Sequence, residues 1–587
     1  MSNSLFRTKK ISSILAEEEY AEGHGSGLTR VLNVRDLTFF GIAAIIGAGS
    51  FSSLGDAVFK GGPGVVLLFV ITGIACAFTA FCYSEFASRI PVAGSAYTYS
   101  YASFGELFAW IIGWALIMEY SIGNIYVAFS WSDYFTSLMN KLGFHFPEYL
   151  SCSYREAHKA VVEGTANPDL LNAWNNAPLI GGLKIIFDLP ALVINALITY
   201  LVYRGVKETR NFSNTMVILK LCIVALVIIV GGALVFSLGL THNWQPENDA
   251  GVKTFMPNGF GGVMTAVSGV FFAYIGFDAV SVLAEESKNP QRDLPKGMIY
   301  SLVICTVVYI LLALVLTGAV NYKNFNGIGD PLAFIFEKQN LNVAWMQVIV
   351  AVCAVIAMTS VLLVFQMGQP RIWMSMSRDG LLPPVFQKIH PKFKTPSFST
   401  IVTGLVVGIP ILFTDKTFVL DFTSIATLFA FVLVCGGVLL IPRKEKLPGR
   451  FNIPYINGQF IFPLLIIAAI SLISFYARSY FTDAFNFDFS GNEDYQQGKA
   501  SFMDVATPKI SIIIFWIMCL VLCVLAFIKK YSLIPLMGVT TCLYLLTGMT
   551  KSNWAWFLSW LILGLVVYFA YGNKNSHLAK NTIGVTS

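Results

Sequence analysis

Three ionisable side chains sit inside long apolar stretches and are the first candidates for chemistry: Glu119 in Trp114-Ala-Leu-Ile-Met-Glu119-Tyr120, Lys220 in Met216-Val-Ile-Leu-Lys220-Leu221, and Asp278 directly after Gly276-Phe277. In hydrocarbon each such charge costs about 2.5–3.5 kcal/mol on insertion scales, so each calls for a partner or a task. The task open to them is proton exchange, because burial disfavours the charged form of an ionisable group and renewed solvation restores it. Each also has a plainer reading. Lys220, about one turn into its stretch, is placed to snorkel to the surface. Glu119 is equally a protonated carboxyl joining helices or a receiver for a cationic side chain, and Asp278 a group fixing the backbone beside it.

A second kind of chemistry lies in the backbone. Gly41-Ile-Ala-Ala-Ile-Ile46-Gly47-Ala48-Gly49-Ser50-Phe51 and Phe271-Phe272-Ala273-Tyr274-Ile275-Gly276-Phe277-Asp278 each interrupt an apolar stretch with glycine. Broken helices expose N–H groups and a positive dipole end to an anion, and unwound carbonyls to a cation. Glycine lets the chain leave helical angles and approach a ligand closely. The two breaks occupy the same ordinal place in successive groups of five stretches, the pattern of inverted repeats that build a midplane site. A zwitterion with both charges at one carbon, such as an amino acid, fits such a pair. Gly47-Ala48-Gly49 is not a dinucleotide fingerprint, since neither a strand before it nor an acidic ribose partner frames it.

The elements that must position these groups are membrane helices. Of the 587 residues 56% are hydrophobic and 12% charged, with a mean hydropathy of +0.67, too apolar for a water-soluble chain. Roughly fourteen stretches are long enough to cross a hydrocarbon core. They begin near Leu37, Gly64, Leu107, Ile186, Thr215, Gly261, Met298, Val343, Ser397, Thr417, Phe460, Ile510, Ser532 and Trp554. The alternation of a β-barrel is absent, so the fold class is all-α integral membrane protein.

Lys and Arg cluster in every second loop, at Arg204, Lys207 and Arg210, at Lys288, Arg292 and Lys296, at Arg371, Arg378, Lys388, Lys392 and Lys394, and at Arg443, Lys444, Lys446 and Arg450. The positive-inside rule places these loops and both termini in the cytoplasm, with about 25 of the 39 basic residues inside. The net charge of +6 is then a topology signal rather than a nucleic-acid footprint. The N-terminal MSNSLFRTKKISSILAEEEYAEG lacks the apolar core of a signal peptide and is expected to form a short amphipathic helix. Of ten cysteines only Cys152 falls clearly in an external loop, so a disulfide framework is not implied. Glu85, Glu285 and Glu286 lie beside Arg89 and Lys288, which reads as gating or loop ion pairs. The polar stretch 141–184 is long for a transporter loop and is either an entrance cover or a solvated cap.

GIAAIIGAGSF, YSEFASRIPVAGSAYTYSYASFGELFAWIIGW, RGVKETRNFSN, FFAYIGFDAVSVLAEESKNPQRDLPKG, GQPRIWMSMSRDGLLPPVF and SIATLFAFVLVCGGVLLIPR occur in this order, and LTGMTKSNWAWFLSWLILGLVVYFAYG follows at 546–572. Together they resemble the cationic amino acid transporter family of the amino acid-polyamine-organocation superfamily, from about Arg7 to about Gly572. The resemblance implies a ten-helix inverted-repeat core over 37–441 and four further helices over 460–572. A cytoplasmic segment 1–36, a linker 442–459 and a tail 573–587 flank these. It implies amino acid permeation across the cell membrane by alternating access, with the substrate at Ile46, Gly47, Ala48, Gly49, Ser50, Phe271, Phe272, Ala273, Tyr274, Gly276 and Met358. Phe272 stands where the superfamily keeps a gating aromatic, and Met358 to Val361 face the same pocket. Lys220 corresponds to a lysine that reaches the carbonyls of the first broken helix, in the space sodium fills in sodium-coupled relatives. Protons are therefore the expected coupling ion, with Glu119 and Asp278 as further proton sites.

Ser50 and Ser52 stand where the resemblance favours Ile and Val, so the pocket is more polar or the break longer, and Ala115 replaces a usual polar residue. Substrate choice between cationic and neutral amino acids stays open. An enzyme is not expected, since His-Glu-x-x-His and Gly-x-Ser-x-Gly are absent, nor is a channel, a metal, a cofactor, nucleic acid or ATP. An exchanger or facilitator, or a nutrient sensor on the same fold, would carry the same pocket without net uptake.

Overall fold

The computed structural model describes residues 5–10, 14, 30, 32–47, 49–92, 94–162, 168–180, 182–205, 209–248, 251–393, 395–440, 451–476, 478–489, 496 and 501–579. Ala48, Lys207, Lys394, Arg443, Lys444, Lys446, Arg450, most of segment 1–36 and residues 442–450 of the linker lie outside the described residues, as do the side chains of Arg210 and Glu285.

Among the described residues nine helices are long and apolar enough to cross a membrane, and three shorter apolar ones accompany them. In chain order the principal helices are α1 (Val34–Ile45), α2 (Leu54–Gly61), α3 (Val65–Arg89), α4 (Ser95–Ser103), α5 (Glu106–Lys141), α6 (Tyr154–Val162), α7 (Pro168–Asn176), α8 (Leu189–Arg204) and α9 (Thr209–Ser237). They continue as α10 (Gly259–Thr265), α11 (Val267–Phe272), α12 (Pro290–Ala319), α13 (Ala344–Arg378), α14 (Ser397–Ile411) and α15 (Lys416–Leu440). The last four are α16 (Gly458–Tyr476), α17 (Phe502–Lys529), α18 (Leu533–Leu546) and α19 (Lys551–Val567). A helical segment stands at each of the fourteen expected places; those expected at Met298 and Ile510 begin earlier, at Pro290 and Phe502, where proline near the start and a Ser501–Asp504 capping box set the ends.

The first span is α1 and α2 with a break between them, and the sixth is α10 and α11 followed by a tight helical turn from Asp278 to Glu286. α5 is the central strut, with α13 and α15 along it, while α12 packs on α1 and α3. The outer faces of α16 and α17 expose Phe460, Leu464, Ile517, Leu520 and Val524, as lipid-facing helices do.

At one end of α5 both chain ends converge. Residues 5–10 form no helix, whereas Ile14, whose N–H donates to Lys10 O at 3.2 Å, lies in one: Arg7 and Leu5 accept from the Glu106 and Leu107 N–H groups at 3.0 and 3.1 Å, and Lys9 N–H donates to Tyr101 O at 3.2 Å. The expected amphipathic helix is thus corrected for these residues, because the open N–H groups at the start of α5 bind them as an extended strap. Gly105, at φ +95°, is required here: a Cβ would meet the Phe6 carbonyl carbon at 2.6 Å. The fully buried Glu106 accepts from the hydroxyls of Tyr101 (3.1 Å), Tyr568 (2.9 Å) and Ser576 (2.5 Å), with Arg7 at 3.6 Å. Asp379 accepts from Lys9 and Tyr97, and its carbonyl from His577 N–H. Trp114 and Trp560 each donate an indole N–H to the other's carbonyl, at 2.8 and 3.0 Å, fixing α19 to α5.

At the other end of α5 the stretch 141–184 is folded, not simply solvated. α6, α7 and a two-residue hairpin, Leu179–Ile180 against Leu183–Lys184, enclose a small core of Cys152, Ala157, Ala173, Ala177 and Ile186. Cys152 carries a free thiol there.

Candidate functional site

Asn33 starts α1 through a capping box, accepting from the Arg35 and Asp36 N–H groups while Asp36 accepts from its own. The helix ends at Ile45 and resumes in one π-turn over Gly49–Ser53. Breaking a helix inside a membrane strands carbonyls that no water can satisfy, so side chains must. Tyr309 OH donates to Ile45 O at 2.8 Å, Tyr134 OH to Phe51 O at 2.6 Å, Ser50 Oγ to Gly47 O at 3.0 Å and Ser53 Oγ to Gly49 O at 2.9 Å. Ser52 Oγ donates to Gly329 O at 3.1 Å. The serines that depart from the family pattern therefore hold the long break with their hydroxyls.

Lys220 does not snorkel. Its side chain is fully buried, and Nζ donates to Ala43 O at 3.1 Å, Ile46 O at 2.8 Å and Ser360 Oγ at 3.1 Å. The Lys220 amine thus occupies the carbonyl cluster at the end of α1.

The second break runs from Ala273 to Phe277 and turns at Gly276, whose φ of +117° suits glycine; a Cβ there would lie 2.8 Å from that of Ala44. The breaks touch: a Cβ on Gly49 would overlap the Ala273 backbone, and one on Gly47 would overlap a Val361 methyl. Ile46, Gly47, Gly49, Ser50, Phe271, Phe272, Ala273 and Gly276 are all buried in this region. Met358 is fully buried on α13, three residues from Val361. Tyr274 turns its hydroxyl away, donating to Phe69 O at 2.8 Å, so only its backbone faces the break. Phe272 meets the Tyr126 ring edge-on at a centroid distance of 4.5 Å.

Glu119 and Asp278 are both buried and share surroundings with the hydroxyls of Tyr83 and Tyr120, which lie within reach of both charges. Among the described residues neither Asp278 carboxylate oxygen nor Glu119 Oε2 makes a well-formed hydrogen bond, and the hydroxyls of Tyr83, Tyr99 and Tyr120 are likewise unpaired. The paired acids expected near the loops behave differently. Glu85 does bind Arg89, at 2.6 Å, but Glu286 binds Arg371 of α13 at 2.5 Å rather than Lys288.

Sequence reasoning missed Tyr309, Tyr134 and Tyr126, and placed Ser360 only within the stretch Met358 to Val361, not against Lys220. A tyrosine deep in an apolar span, as in Thr306-Val-Val-Tyr309-Ile-Leu, needs a partner for its hydroxyl, and that was the available signal.

The model of the family described as amino acid permease matches residues 32–487, and that of its C-terminal region matches residues 531–576. The chain belongs to the amino acid permease family. A branched-chain amino acid permease of Bacillus subtilis is 35% identical over 98% of this chain and 100% of its own length. The methylthioribose transporter of the same species is 39% identical over 77% of this chain and 89% of its own. A vacuolar cationic amino acid transporter of Arabidopsis thaliana is 30% identical over 100% and 94%. The permease thus falls among transporters rather than enzymes, and its long apolar helices make it a multi-pass membrane protein.

Proposed function

We propose that this permease takes amino acids into the cell by alternating access, coupled to protons, with the substrate held between the two breaks. The observation that carries the reading is the Lys220 ammonium bound to the Ala43 and Ile46 carbonyls and to Ser360. A fixed amine in that cluster leaves no vacancy for sodium and offers a group whose proton can be exchanged when the pocket hydrates. The substrate carboxylate docks on N–H groups following Ile46, in the stretch Gly47, Ala48, Gly49 and Ser50. The substrate ammonium docks on carbonyls around Phe271, Phe272 and Ala273, with Gly276 giving the chain room and Met358 bordering the side chain. Phe272 closes over it, and Glu119 and Asp278 accept and release the accompanying proton. The ten-helix core 37–441 is the moving unit, with 460–572 appended through 442–459. The clustering of Lys and Arg supports a cytoplasmic location for the 1–36 and 573–587 ends and an external one for the 141–184 cap. Both ends meeting at Glu106 supports their lying on one side.

Uptake into proteoliposomes of labelled branched-chain and cationic amino acids and of methylthioribose, with pH and sodium gradients imposed separately, tests this. Amino acid accumulation that follows the pH gradient and ignores sodium is expected. Uptake driven by sodium alone, or of methylthioribose alone, overturns it.

A further inference from the structure

The cap is fastened to the start of α15. Arg155 Nε lies 2.7 Å from Asp415 Oδ2, with the guanidinium 5.2 Å over the Phe418 ring, and Glu156 Oε1 accepts from Lys416 N–H at 3.2 Å. The Lys416 ammonium points the other way, to Asp133 Oδ2 of α5 at 2.5 Å, and lies 5.7 Å from the Tyr126 ring. Burial works against the Lys416 charge, but Asp133 beside it holds the ammonium above its usual range. Tyr126, Ser130, Asp133 and Ser137 recur at helical spacing and so form one stripe of α5. The stripe runs from Phe272, against Tyr126, to Asp330, which accepts from Ser137 Oγ at 3.2 Å. Asp133 also abuts Gly329, whose carbonyl is held by Ser52 of the first break. One ion pair therefore closes the ring of cap, α15, α5 and the segment before α13, directly above the aromatic lid.

Two further facts bear on its role. The pair is neither sealed nor free, with 18% and 34% of the two side chains accessible, so water reaches it from the cap side. Ser130 Oγ, between Tyr126 and Asp133, is buried without a partner among the described residues. A polar stripe leading inward under a latch that water can reach is what an intermittently wetted path requires.

We propose that Lys416 and Asp133 are the latch of a gate on the cap side, seated by Arg155 and Glu156, whose parting opens a path past Tyr126 and Phe272 to the two breaks. This rests on the transport reading but is tested without transport. In full-length protein with its native cysteines replaced, Ser130→Cys is reacted with a membrane-impermeant thiol reagent from the cap side, with no substrate present. Slow labelling is expected with the latch intact, and labelling at least tenfold faster with Lys416→Gln or Asp133→Asn. The charge-exchanged pair Asp133→Lys with Lys416→Asp should return it to slow, with the same elution on size exclusion. Equal rates in all variants overturn the latch, as does a charge-exchanged pair that labels as fast as the single variants. Since labelling needs no flux, a failed uptake assay with latch-dependent labelling would refute the transport reading and leave the gate standing.

Discussion

Replacing Lys220 with methionine removes the ammonium while keeping most of the length and apolar bulk of the side chain. Three charge-assisted hydrogen bonds of 2.8–3.1 Å disappear. Each is worth about 1.5–3 kcal/mol. Against that loss stands the desolvation of a fully buried charge, several kcal/mol, which methionine no longer bears. The net change in stability is expected within about 2–3 kcal/mol, so Lys220→Met should fold. Transport is a different matter. A gradient of about two pH units carries about 2.7 kcal/mol per proton, which supports roughly 100-fold accumulation with one proton per substrate. With the exchangeable amine gone, the accumulation ratio should fall to about 1 while exchange of substrate for substrate persists. Proteoliposomes with the gradient imposed, read as internal over external labelled substrate at steady state, measure this. A Lys220→Met protein that still accumulates substrate near the wild-type ratio would refute the reasoning.

Gly49→Ala should abolish substrate binding, because its Cβ overlaps the Ala273 backbone and forces the breaks apart; Gly261→Ala, which meets nothing within 4 Å, should bind as wild type in the same scintillation-proximity assay. Asp188 caps α8 at the cap side, accepting from Ser132 Oγ at 2.6 Å and from Ala191 N–H at 3.0 Å, and burial pushes its carboxyl up to about 8. A folded value above the unfolded one means that its stabilising contribution is whole below about pH 4 and is lost as pH rises towards 8. The Tm of the purified protein should fall across that window, and Asp188→Asn should flatten the slope; a slope unchanged by the substitution would contradict the assignment.

Hydropathy alone placed the helices, since a run such as Leu221-Cys-Ile-Val-Ala-Leu-Val-Ile-Ile-Val has only one stable solvent. The breaks were legible because Gly47, Gly49 and Gly276 stand where backbone must leave the helix. Lys220 was legible because a charge deep in an apolar run demands a partner. Its carbonyl partners came only through the family resemblance, and the partners of Tyr309 and Lys416 were not legible at all. Tyr309 lies 264 residues from Ile45 and Lys416 lies 283 from Asp133, and no local pattern encodes a contact between elements so far apart in sequence. For Ser50 and Ser52 type alone left a polar pocket and a longer break as alternatives, and only the geometry, which turns both hydroxyls to carbonyls, favours the second. That the cap folds on its own core was not legible, because α6 and α7 are too short and polar to announce one.

The clasp at Glu106 also has a history in time. Its strap, residues 5–10, precedes Glu106 by about a hundred residues, yet Tyr568 and Ser576 follow Glu106 by 462 and 470 residues. At roughly 5–20 residues per second, the carboxylate waits about 20–90 s for those hydroxyls. During synthesis Arg7 is then its counter-charge, and the finished bundle is sealed only when the last helix, tied by the paired tryptophans, swings its end back to the first. A chain stopped short of Tyr568 leaves that buried acid without two of its donors.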